Sequence, residues 1–337
     1  MSKGKIIKKG IQIVISFGLP IAFLLYLFSI IKLDDLLLTI KSVSLPWICI
    51  GFFFYCVNQV FRSIRFYCLI HSIRPNFRKL FKVQSLYIAL NYLLPFRTGE
   101  ISYVYLARRY LDLPMANCIS SLVVSRFSDY VFLMLCYVFI AFHMKMVIPP
   151  WIGLIAKGGV VCALLAAFFF FLYVFKDTRY LSSFFQKIKT HPFRSKNWFI
   201  KRITEQLQKI VLSFKEISNV RIFIQTVLMT IAVWFSIFLT FYIIVHSMGH
   251  RISFLHIILV ALMAMMSRMF QGVANLGSHE IGWYGALLLV DFSNEDASLV
   301  AVSSHIIILG YTLIVSLYSR LTLKCNNRQD TLKILSE

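Results

Sequence analysis

Residues 91 to 100, Asn91-Tyr92-Leu93-Leu94-Pro95-Phe96-Arg97-Thr98-Gly99-Glu100, put a proline, a glycine and two opposite charges into sequence otherwise apolar enough to lie in a bilayer. Such an interruption is expensive, because non-helical backbone and charge at membrane depth persist only where they are buried in protein or line a wet cavity. A second interruption, Gln271-Gly272-Val273-Ala274-Asn275-Leu276-Gly277-Ser278-His279-Glu280, lies in the other half of the chain. The two form a pair, and the flanking sequence is read around them.

With 59% hydrophobic residues, 15% charged residues and a mean hydropathy of +0.76, the chain carries more apolar surface than a soluble fold could hide. It is expected to be an all-α polytopic membrane protein. A net charge of +21 would suggest nucleic acid in a soluble protein. Here the basic residues gather at the ends of apolar segments, which is the pattern that sets membrane topology, and no nucleic-acid-binding module is visible. The cysteines are scattered through apolar runs without metal-ligand spacing and read as small packing residues, so neither a metal nor a cofactor is expected.

Lys3, Lys5, Lys8 and Lys9 precede a first span at 11–31 and place the N-terminus in the cytoplasm. A second span, 46–70, descends to Arg62, Arg65, Arg74, Arg78, Lys79 and Lys82. From Val83 to Leu94 the apolar run is too short to cross. Together with Ile101 to Leu111 it is expected to form a re-entrant hairpin with Pro95 to Glu100 at its tip. Spans at 115–142 and 151–175 follow. The segment 176–221 has eleven Lys or Arg against three acidic residues, and its apolar positions recur at helical spacing. It reads as a cytoplasmic amphipathic helix on the anionic inner leaflet. A span at 222–247, a second hairpin through 252–290 and a last span at 297–319 lead to a cytoplasmic tail, 321–337. Six full spans and two hairpins make one domain, 1–320, integral to the cell membrane, with both termini in the cytoplasm.

The halves, 46–142 and 222–319, enter from opposite sides and read as an inverted repeat. Such repeats build alternating-access transporters whose broken helices aim free N–H groups at a substrate. Thr98 and Ser278 are placed to N-cap the returning helices beside Gly99 and Gly277, with Glu100 and Glu280 in the first turn. Arg97, Glu100, Arg126, Asp129, Glu280 and His305 are the candidate substrate-binding residues, and Pro95 marks the first tip. Each also has a plain structural reading. Glu100 and Glu280 could offset helix dipoles or pair with Arg97 and Arg268. Arg126 and Asp129, at i and i+3, could neutralise one another, and His305 could be a packed histidine.

At these residues the sequence resembles the lysylphosphatidylglycerol synthase transmembrane-region family, a flippase-like domain also found as stand-alone proteins. Pro95 to Glu100 is similar to the family's Pro-Gly-Arg-Ala-Gly-Glu motif. The likeness extends through Tyr105-Leu106-Ala107-Arg108-Arg109 to a Glu-Arg-Leu-x-Asp segment, here Ser125 to Asp129, and to a Gly-x-x-Glu motif at Gly277 to Glu280. Phe96 stands where the family has glycine, Ser125 where it has glutamate, Ala274 and Asn275 where glycines are usual, and His305 where it has arginine. In the family an aminoacyl-transferase domain follows the membrane region. Here the chain stops after a short tail, so aminoacylation of a lipid is not expected from this protein alone.

The resemblance implies a lipid translocase that moves the headgroup of a phospholipid or polyprenyl-phosphate-linked lipid between leaflets, in a cavity between the hairpins. Arg97 and Arg126 would hold phosphate. Glu100, Asp129 and Glu280 would orient them or meet a cationic group, and protonation of His305 would bias the access states. Two alternatives remain open. One is a membrane-embedded polyprenyl-phosphate transferase with Glu100 or Asp129 as general base. The other is a scaffold that docks a separate lipid-modifying enzyme through 176–221.

Overall fold

The computed structural model describes residues 43–70, 73–95, 98–143, 219–267 and 273–334, with Thr39 and Ser213 as single positions. The spans expected at 11–31 and 151–175, nearly all of segment 176–221, and Phe96, Arg97 and Arg268 lie outside the described residues. Within them the chain is helical throughout, with eight α-helices: α1 (Leu45–Leu69), α2 (Phe77–Leu93), α3 (Gly99–Leu111), α4 (Met115–His143), α5 (Val220–Ser247), α6 (Phe254–Ser267), α7 (Ser278–Leu288) and α8 (Asn294–Ile334). Four of them, α1, α4, α5 and α8, are long and apolar enough to cross a membrane.

These long helices leave large apolar side chains uncovered. Phe53 on α1, Phe235 on α5 and Leu317 on α8 are each more than half exposed. In water so many exposed apolar side chains would drive aggregation, whereas lipid accepts them without cost. The cysteines fit this picture only in part. Cys118 is buried, Cys56, Cys68 and Cys136 are half-buried, and Cys49 is exposed rather than packed.

Both expected interruptions are breaks between short helices. α2 ends at Leu93 and α3 begins at Gly99, with Pro95 between them denying the backbone the donor that would continue the helix. Gly99 is required by close approach, because a β-carbon there would lie 2.2 Å from Asn91 Cα and 2.5 Å from Asn91 N. Tyr87 on α2 and Tyr103 on α3 are buried against each other, with ring centroids 5.4 Å apart. Gly99→Ala is therefore expected to push the start of α3 off α2 and to destabilise the protein by about 1–3 kcal/mol or more, because backbone cannot yield as a side chain can. A fall in the thermal unfolding midpoint of the purified protein is the check.

In the second break α6 ends at Ser267, a short 3-10 turn covers Val273–Asn275, and α7 starts at Ser278. Ala274 and Asn275 have positive φ, 53° and 58°, and Gly277 follows at 76°. Left-handed backbone is natural for glycine and strained for alanine. The expected capping role of Ser278 is not met. Gly277 holds the N-cap position with no side-chain cap, and the Ser278 hydroxyl donates to Asn275 O at 2.9 Å. Thr98 does precede α3, yet its hydroxyl donates back to Pro95 O at 2.7 Å. Each hydroxyl tightens its break instead of capping a helix.

By backbone proximity the chain falls into two compact units. One takes the residues up to Val60, Phe81–Tyr103 and those from Val233 onward; the other takes Phe61–Leu80 and Val104–Ala232. In the first, α7 packs on both α6 and α8. Gly282 makes the α6 contact close, since a β-carbon there would meet Ala264 Cα at 2.7 Å. Polar bonds tie its helices: Asn58 Nδ2 donates to Val233 O at 2.7 Å and Ser236 Oγ at 2.9 Å, Tyr311 OH donates to Ile48 O at 2.6 Å, and Tyr55 bonds Thr312 at 2.9 Å. Where lipid is as apolar as the core, such bonds and small-residue contacts supply specificity that the hydrophobic effect cannot. In the second unit, Leu69, Val124 and Ile222 form a buried apolar cluster that joins α1, α4 and α5.

The last helix begins three residues earlier than the expected span and extends well beyond it. Ser293 Oγ accepts from Asp296 N at 3.0 Å and donates to the Asp296 carboxylate at 2.8 Å, a cap that starts α8 at Asn294. Ser293→Ala is expected to cost about 1 kcal/mol of stability, seen as a small drop in the unfolding midpoint. The helix then runs through Ile334 into sequence where polarity rises but no proline or glycine stops it.

Candidate functional site

The first unit buries a polar centre on α7 and α8. Glu280 lies in the first turn of α7 and His305 on α8, both almost wholly buried, and Glu280 Oε1 is 2.5 Å from His305 Nδ1. The other ring nitrogen, Nε2, is 2.9 Å from Ala274 O in the break. One histidine thus joins the long helix to both the short helix and the turn that precedes it. Around it, His279 has its ring centroid 4.7 Å from that of His305, and Tyr92 makes a T-shaped ring contact with His305 at 5.7 Å. His279 Nε2 bonds Ser304 Oγ at 3.2 Å. That hydroxyl already donates to Ala301 O, so the imidazole is the donor. Trp283 stacks on His279 at 5.5 Å and packs on Phe241 at 4.9 Å.

Several polar atoms of this centre find no hydrogen-bond partner among the described residues: Glu280 Oε2, Asn275 Oδ1 and Trp283 Nε1 are all buried and unmatched there. Buried polar atoms are normally satisfied, so a concentration of exceptions marks a place built to meet something polar. Glu280 thus pairs with His305 besides standing in the first turn of α7, and His305 is held through both ring nitrogens.

The second unit carries a different centre, on α1, α4 and α5. The Arg65 guanidinium, buried, meets the buried Asp129 carboxylate in a two-pronged contact, Nη1 to Oδ1 at 2.6 Å and Nη2 to Oδ2 at 3.2 Å. Nη1 also donates to Thr230 Oγ1 at 3.1 Å, and that hydroxyl passes its own proton to Thr226 O at 2.7 Å. Arg126 Nη1 stands 3.7 Å from Asp129 Oδ2 and keeps about a fifth of its side chain exposed. The self-contained Arg126–Asp129 pair is thus corrected: Asp129 also meets Arg65, which reaches it with both prongs of the fork and more closely than Arg126. Asp129 thus lies between two guanidinium groups, of which Arg126 is the more exposed. The neighbouring Arg62 adds to the positive field at Asp129.

Of the sequence-predicted residues, Glu280 and His305 come together in one centre, and Arg126 and Asp129 in the other. Gly277 and Ser278 form the turn at the first of these. Glu100 sits half-buried in the first turn of α3, after Pro95, Thr98 and Gly99. Arg97 lies outside the described residues. Sequence reasoning missed Arg65, taking it as a topology-setting charge at the end of a span. The signal was present: Phe66-Tyr67-Cys68-Leu69-Ile70 continues the apolar run beyond it, so the charge is inside the run rather than at its end. Tyr92 and His279 lay inside the quoted motifs without a role.

The family model for the lysylphosphatidylglycerol synthase TM region matches residues 11–316, most of the chain. No curated protein and no solved structure gives a significant match. With its long apolar helices and this match, the chain is an integral membrane protein that belongs to the lysylphosphatidylglycerol synthase transmembrane-region family.

Proposed function

We propose that the protein is a lipid translocase, which takes the polar headgroup of a phospholipid or polyprenyl-phosphate-linked lipid through its interior while the tails stay in the bilayer. The observation that carries this reading is the buried Glu280–His305 centre at a break between helices, with polar atoms unmatched beside it. Intramembrane charge of this kind marks substrate pathways. The family supports a role with membrane lipid, and the matched region is the non-catalytic part of the synthase. Both halves follow the order long helix, short helix, break, short helix, long helix. That order suits two re-entrant hairpins in an inverted repeat of the cell membrane, with both termini cytoplasmic.

In this reading Arg126, with Arg97, meets the phosphate, and Asp129 holds the arginine fork in place. Glu100, Glu280 and His305 meet the rest of the headgroup. The partners are the lipid itself, anionic inner-leaflet lipid at segment 176–221, and a separate enzyme that modifies the lipid. The test is headgroup translocation in proteoliposomes, with lysyl-phosphatidylglycerol, phosphatidylglycerol and a polyprenyl-phosphate sugar compared. Movement of one lipid that is lost in Glu100→Gln is the expected result. A folded protein that moves none of them contradicts it.

A further inference from the structure

The two contacts of His305 fix how many protons its pair with Glu280 holds. Nδ1 faces a carboxylate oxygen at 2.5 Å and Nε2 faces the Ala274 carbonyl at 2.9 Å. A carbonyl accepts only, and so does an ionised carboxylate, whereas a neutral imidazole has one N–H. Both contacts are made together in two ways. Either the ring is an imidazolium beside a carboxylate, or Nε2–H donates to Ala274 while a protonated Glu280 donates to Nδ1. The pair is neutral overall in each, and each holds one proton more than a neutral histidine beside an ionised glutamate. Turning the ring over puts carbon atoms against both oxygens and loses both contacts.

Removal of that proton leaves the pair with a charge of −1 and one contact that cannot be made. If the remaining N–H points at Ala274, the Nδ1 lone pair faces Oε1. If it points at Glu280, the Nε2 lone pair faces the carbonyl. The second of these frees a turn whose backbone is already strained at Ala274 and Asn275. The other groups facing His305 do not replace the proton. His279 directs its Nε2–H to Ser304, a second cation on it would crowd the first, and Tyr92 meets the imidazole ring to ring in a T-shaped contact.

Resting on the translocase reading, we propose that the Glu280–His305 pair is a proton-binding site whose occupancy clasps α8 to the Val273–Asn275 turn, so that headgroup movement is coupled to proton binding and release. The proton leaves to solvent as the clasp opens and returns as it closes; no other bond is made or broken.

The test is backbone hydrogen–deuterium exchange over residues 273–281 of the full-length protein in lipid nanodiscs, across pH and corrected for intrinsic exchange. Wild type is expected to lose roughly tenfold or more of its protection as the proton is removed, the worth of one hydrogen bond to a charged group. His305→Arg keeps a permanent donor and should hold the segment closed at every pH, and His305→Gln should leave it open at every pH. Wild-type protection indifferent to pH, or a pH dependence that persists in His305→Arg, overturns the site. In proteoliposomes, a transmembrane pH gradient should accelerate translocation of fluorescent phosphatidylglycerol by wild type and not by His305→Arg. Translocation indifferent to the gradient in wild type overturns the coupling. Failure to move any lipid would count against the translocase reading, while the exchange profile decides the proton site independently.

Discussion

Asp129→Ala is expected to collapse the yield of folded protein. The substitution leaves the Arg65 guanidinium buried with its counter-charge gone and, among the described residues, only Thr230 to bond. Breaking a buried ion pair from one side costs about 3–5 kcal/mol, most of it the desolvation of the stranded charge. Asp129→Asn retains an acceptor and should fall between the two. The double change Arg65→Met with Asp129→Leu removes both charges at similar volume and should recover most of the fold, since a buried pair gains little over apolar packing. Monodisperse yield and unfolding midpoint in detergent separate the three. The double variant also divides structure from function: folded but inactive is expected, because Arg126 then loses the carboxylate that holds it in place.

The second large effect falls on Glu280. Glu280→Leu deprives His305 of its nearest partner and should cost about 1.5–3 kcal/mol, the worth of a hydrogen bond to a charged group. Glu280→Gln is the informative change, because the amide matches the carboxylate in shape and can donate its NH2 to Nδ1 while Nε2–H stays on Ala274 O, yet it cannot carry the charge or exchange the proton. The Glu280→Gln variant is expected to unfold near the wild-type midpoint and yet to translocate lipid at least about tenfold more slowly, the change in rate that about 1.4 kcal/mol of lost stabilisation produces. A Glu280 that served only the dipole of α7 would give a small loss of stability and no loss of transport.

The sequence made the breaks legible, because proline and glycine within apolar runs punctuate a helix whatever surrounds them. It placed α1, α4 and α5 within two residues of their observed ends for the same reason, since apolar length is a local property. The end of α8 was not legible. Hydropathy falls after Arg320, but a helix stops at proline or glycine rather than at polarity. The role of Ser278 was misjudged because the left-handed Gly277 occupies the cap, which no spacing rule reveals. Arg65 escaped because its partner lies 64 residues away, and pairing at that separation is a property of packing. Glu280 and His305 were both marked, Glu280 by its place after a break and His305 by its place on the matching helix. That they touch, and that His305 also reaches Ala274, needed the structure.

Headgroup translocation by purified wild-type protein against Glu280→Gln, matched for folding and reconstituted in the same liposomes, tests the central claim most directly. Fluorescent phosphatidylglycerol placed in one leaflet and read by quenching from the other gives the rate. The headgroup is expected to cross with wild type and to be held back with Glu280→Gln. Equal rates for the two, or crossing no faster than in protein-free liposomes, would contradict it.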